Sequence, residues 1–112
     1  MTPADFRRLA LELPEAVEGE HMHHPDFRVG GKVFATLGPD GTWGMVKLAP
    51  PEQEERVRAS PEVFQPIPGG WGRRGATRIA LRPARAPAVR AALLAAWRNT
   101  APPKLLRRLE KG

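Results

Sequence analysis

The sequence predicts an α+β domain in which an antiparallel sheet of about five strands carries helices on one face. Three observations lead there. An apolar stripe at helical spacing opens the chain, at Phe6, Leu9, Ala10 and Leu13. A run of short alternating segments separated by glycine turns follows, over residues 16–48. A second helical stripe, Val89, Leu93, Ala96 and Trp97, closes the apolar pattern. Strands grouped in a meander, with helices at both ends, favour antiparallel pairing with helices segregated to one side.

The first helix is predicted over 3–13. Thr2 can cap it, Pro3 suits the first helical position, and Asp5 completes a variant capping box. Pro14 ends it. A strand then runs from Val17 to Met22, with Pro25-Asp26 read as a turn. Phe27 and Val29 lead into a Gly30-Gly31 hairpin. Val33, Ala35 and Leu37 alternate with Phe34 and Thr36, and both sets are apolar enough for contact on both faces. Gly38-Pro39-Asp40-Gly41 is a second turn before the strand carrying Trp43, Met45 and Lys47.

Pro50-Pro51 opens a second helix whose acidic start and basic end match the helix dipole. Val63-Phe64-Gln65 reads as a short extended piece or an added turn, and 77–81 as a strand. Pro87 lies near the start of the last long helix. Ala101-Pro102-Pro103 breaks it, leaving Lys104–Gly112 as a short basic helix or a frayed tail. The expected core is Phe6, Leu9, Leu13, Val33, Ala35, Val46, Ile79, Leu93 and Trp97.

Length and composition set bounds. A chain of 112 residues is most simply one domain, 1–112. It has no cysteine, which excludes disulfides, thiolate metal sites and cysteine nucleophiles. No apolar run suits a membrane span and no signal peptide is visible, so the expected location is the cytoplasm, without a membrane partner. The net charge of +6 is uneven. Residues 1–60 hold 7 basic and 10 acidic side chains; residues 61–112 hold 11 and 2. That polarity suggests an anionic partner. An arginine-rich, GC-biased proteome, with Arg on every solvated face, accounts for it equally well.

The segment Pro68-Gly69-Gly70-Trp71-Gly72-Arg73-Arg74-Gly75 is chemically the most unusual. It offers an aromatic plane and two guanidinium forks suited to phosphate or carboxylate. It equally suits a tight connection that seats Trp71 in the core. It matches neither a phosphate-binding P-loop nor a dinucleotide fingerprint.

His21 and His23, on one side of a strand, could hold a metal with Glu20 or Asp26. No further His or Cys completes a tetrahedral set, so neither a metal nor another cofactor is expected. The single serine, Ser60, lies beside Pro61 without nucleophile-elbow glycines, and there is no tyrosine, so no enzyme is expected.

Several of these segments together resemble the MmcQ/YjbR-like family. They are a first helix ending in Leu-Pro, residues 25–37, Lys47-Leu48, the glycine segment 69–75, and Thr77-Arg78-Ile79. The resemblance spans residues 4 to about 106. It implies a compact α+β domain related in shape to the CyaY (frataxin-like) fold, and a DNA-binding label given by analogy with a double-wing arrangement. Frataxins are expected to bind iron through an acidic ridge, which Arg7 and Arg8 interrupt here. This chain also departs from the family at Ala76, where an aromatic residue is common. The expected activity is nonspecific DNA binding through phosphate contacts. Lys32, Lys47, Arg73, Arg74 and Arg78 are the candidate phosphate ligands and Trp71 the candidate stacking residue. The chain is expected to be a monomer or weak homodimer. The rival expectation is a module that binds protein or a small acidic ligand on the open sheet face, without nucleic acid.

Overall fold

A computed structural model describes residues 1–111. Helix α1 (Pro3–Leu11) starts as its sequence dictates. Thr2 Oγ1 accepts from the Asp5 amide at 3.1 Å, and Asp5 Oδ2 accepts from the Thr2 amide at 2.9 Å. Hydrogen bonding to the carboxyl by the Thr2 backbone amide first, and by the Thr2 side chain next, holds Asp5 below its ordinary range.

Six strands follow the order β1-β2-β3-β4-β6-β5, all antiparallel. They are β1 (Val17–His21), β2 (His24–Val29), β3 (Lys32–Leu37), β4 (Trp43–Lys47), β5 (Phe64–Pro66) and β6 (Ala76–Ala80). Helix α2 (Pro50–Ala59) separates β4 from β5, and a single turn, α3 (Gly70–Arg73), lies between β5 and β6. Helices α4 (Ala86–Thr100) and α5 (Pro103–Lys111) end the chain, so residues 103–111 are helical.

One sheet face is covered by α1 and α4. Phe6 packs on Phe27, with ring centroids 6.0 Å apart. From α4, Val89, Ala92, Leu93, Ala96 and Trp97 are buried. The Trp97 indole N–H donates to the Pro14 carbonyl at 3.0 Å, tying α4 to the end of the first helical segment. Seven of the nine expected core residues are buried. Leu13 and Val33 are half-buried instead.

Val33 is displaced by a β-bulge. Phe27 pairs with Ala35, but Arg28 pairs with Val33, so Phe34 is the extra residue of β3. Phe34 and Ala35 therefore both enter the core, while Val33 and Thr36 face the other side. Strict alternation predicts the opposite side for Val33.

The first hairpin also differs from expectation. Its turn is Met22-His23, with φ of 50° and 67°, and Pro25-Asp26 lie inside β2. Positive φ at both central residues suits a primed two-residue turn, normally signalled by Asn-Gly. Its absence hides the turn in the sequence. Pro25 is tolerated because it pairs only with Glu20, and β3 begins pairing one residue later, at Asp26. In a two-residue hairpin the pair after His21–His24 is a non-hydrogen-bonded one, so the missing N–H costs no ladder bond.

Candidate binding face

The sheet face opposite α1 and α4 is met at one end by the single turn α3, through Trp71. The strand register places on it Gly19 and His21 from β1, His24, Asp26 and Arg28 from β2, and Thr36 from β3. Trp43, Met45 and Lys47 of β4 join them, opposite Ala80, Arg78 and Ala76 of β6. A groove of about 540 Å³ runs over this surface, from His21, His24 and Trp43 at one end to Lys47, Ile67 and Trp71 at the other.

The groove floor holds an ion pair. Arg28 donates through Nε to Asp26 Oδ1 at 2.9 Å and through Nη2 to Oδ2 at 3.0 Å. The Asp26 side chain is fully buried, whereas that of Arg28 is partly exposed. The Asp26 carboxylate holds the Arg28 guanidinium above its ordinary range. Gly19, opposite Asp26 in the register, leaves room for the pair; a Cβ there would lie 2.8 Å from Asp26 Oδ1.

Two tryptophans flank the groove, each with a cation over its ring. The Arg78 guanidinium lies 5.2 Å from the Trp43 ring centroid, and Lys47 Nζ lies 5.9 Å from that of Trp71. His24 meets Trp43 edge-on at 6.4 Å. Trp71 is 64% exposed. The alternative that the glycine segment buries this residue in the core is therefore wrong.

The reason lies in how that segment is built. Gly72 sits against the Ile67 carbonyl and Gly75, at φ 115°, against the Leu48 carbonyl, both closer than any Cβ could approach. Gln53, the single buried residue of α2, points its amide into the same place. Its two Nε2 hydrogens are shared among three acceptors, the Gly72 and Ala76 carbonyls at 3.0 Å and Thr77 Oγ1 at 3.1 Å. Thr77 Oγ1 in turn donates to the Gly75 carbonyl at 2.8 Å. This buried network fixes the backbone of α3, and the fixed backbone turns Trp71 outward.

Of the six residues expected to bind, Lys47 and Trp71 come together in the groove. Arg78 stands on the same face, on the neighbouring strand. Arg73 and Arg74 are exposed at the end of α3, beside Trp71 in the chain but outside the groove lining. Lys32 is exposed at the β2–β3 hairpin, also outside the lining. His21 and His23 do not share a strand face, because His23 is in the turn; it is His21 and His24 that pair across the hairpin. Among the described residues, no cluster of His and carboxylate side chains is arranged to hold a metal ion.

Sequence reasoning did not place Arg28, Trp43 or Gln53 in the site, and weighed Asp26 only as a metal partner of the histidines. Asp26 and Arg28 are two apart, the spacing that shares a strand face. Reading Pro25-Asp26 as a turn concealed that signal. Gln53 sits among glutamates on a helix with little apolar pattern and gives no signal at all.

A six-stranded antiparallel sheet with helices on one face and an aromatic, cationic groove on the other defines the architecture. The YjbR family model matches residues 11–99, and the chain belongs to the YjbR family. The crystal structure of the Deinococcus radiodurans protein DR2400, with a DUF419 domain, is similar in fold. It is 21% identical with a TM-score of 0.71, over 86% of this chain and 75% of that one. No curated protein matches the chain. Among the described residues, no helix is long and apolar enough to cross a membrane.

Proposed function

We propose that this protein is a non-enzymatic module that binds nucleic acid through phosphate contacts along and beside the open sheet face. One observation supports the reading most. Lys32, Lys47, Arg73, Arg74 and Arg78 have no carboxylate within ion-pair distance among the described residues; Arg56, Arg82, Arg85, Arg98, Lys104 and Arg107 share that property, but Lys47 and Arg78 also stand over tryptophan rings on the open face. Unpaired cations on a rigid scaffold are free to exchange counterions for phosphates. Non-enzymatic action fits the groove's one carboxylate, because Arg28 occupies both Asp26 oxygens.

The test is fluorescence anisotropy with labelled oligonucleotides over a salt series. With about four phosphate contacts, log affinity falls against log salt with a slope of roughly −3 to −4 for duplex and about −3 for single strands. The double change Arg73→Ala, Arg74→Ala lowers that slope by about 2 and weakens all sequences alike. Absence of binding at low salt refutes the reading. An unchanged slope in the double variant removes α3 from the contact surface.

A second reading is a small acidic ligand held in the groove. Its volume favours this, since about 540 Å³ lies within the range of roughly 300–1,000 Å³ typical of small-molecule sites. Binding of small carboxylates or phosphates, without any oligonucleotide binding, supports that alternative.

A further inference from the structure

Resting on the phosphate-binding reading above, we infer that the open face takes single-stranded nucleic acid in preference to duplex, with an unpaired base stacked on Trp71. The open face is wider than a duplex groove. Six strands at a spacing of about 4.8 Å span roughly 24 Å. The duplex major groove is only about 12 Å wide and admits a helix or a two-stranded ribbon, not a sheet of this breadth. A duplex touches the rim of this face and leaves the groove and both tryptophans unused.

The aromatic arrangement points the same way. Trp71 is 64% exposed on a backbone locked by Gln53, Gly72 and Gly75, so its indole is a preset platform. Lys47 beside it can meet a phosphate of the nucleotide whose base stacks there. At the far end of β4, Arg78 lies over Trp43, and guanidinium planes also stack on bases. Trp43 and Lys47 are four residues apart on one strand, a separation of roughly 13 Å. A base inside a stack has both faces covered by its neighbours, so only an unstacked base can lie on a tryptophan. Single-strand binders combine a cationic path with aromatic platforms in this way. The contacts invoked are base faces and phosphates, none of them to the sugar 2′ position.

The experiment compares four labelled probes by anisotropy at low salt: oligothymidylate, oligouridylate, an abasic oligomer of equal length and a hairpin duplex. The wild-type protein binds oligothymidylate and oligouridylate within threefold of each other and about tenfold more tightly than the abasic oligomer or the duplex. Trp71→Ala removes that tenfold advantage and leaves abasic and duplex binding within about twofold. The residue is exposed, and circular dichroism confirms the fold of the variant. Equal binding of all four probes, or a Trp71→Ala variant that keeps its preference, overturns the inference while phosphate binding stands. A sugar preference above tenfold also overturns it. No binding of any probe refutes both readings.

Discussion

The two faces of the sheet are built from neighbouring residues of the same strands, yet they obey different rules. On the helix-covered face, Phe27, Val46 and Ile79 are fully buried in one core cluster with Phe6, Leu93 and Trp97. On the open face, Met45, Lys47 and Arg78 are partners or neighbours of those strand residues and stay partly or fully exposed. The covered face is held by apolar contact. The open face holds a half-buried ion pair, two cation–aromatic pairs and an outward tryptophan, none of which a sheet requires for its core. The contrast separates residues that make the fold from residues available for binding, and it can be broken at defined points.

The largest effect is expected on the covered face. Trp97→Ala removes a fully buried ring and its hydrogen bond to Pro14. A cost of about 3–5 kcal/mol is expected, out of a total stability of roughly 5–15 kcal/mol for a domain, as measured by urea denaturation. A cost below about 1 kcal/mol would mean that the α4 interface is not the core.

Gln53→Leu lies between the two faces. It deletes three buried hydrogen bonds at the base of α3, and about 1–3 kcal/mol is expected. The sharper readout is Trp71, whose contribution to the proposed nucleic-acid binding should fall even under conditions where the variant is fully folded. Retained stacking would show that α3 holds its shape without Gln53.

Arg78→Ala is expected to have the smallest effect on stability, less than about 1 kcal/mol, because the residue is exposed and its contact with Trp43 is solvated. Arg28→Ala is expected to cost more than Arg78→Ala, since it strips the buried Asp26 carboxylate of its partner. Thermal melts of the two variants side by side check the order.

Much of the covered face was legible in the sequence because its signals are periodic. The stripes of α1 and α4 needed only helical spacing, and the Thr2–Asp5 cap only local chemistry. The open face was read less well, for two physical reasons. Its strand alternation is interrupted by the Phe34 bulge, which moves Val33 to the groove, and by a Met22-His23 turn lacking the usual residues. Its remaining parts come from distant segments. Gln53 meets Gly72, and Lys47 meets Trp71, only once β4 and β6 have paired. The cations themselves were visible; which of them share a surface was not.

On the proposed function, the open face, not the covered one, meets nucleic acid. Amide chemical-shift mapping during titration with oligothymidylate tests it directly. Shifts are expected in β4, β6, residues 69–75 and the hairpin carrying Lys32, with the Trp71 indole N–H moving and that of Trp97, buried and bonded to Pro14, staying in place. Shifts centred on α1 and α4, or no shifts at low salt, would contradict it.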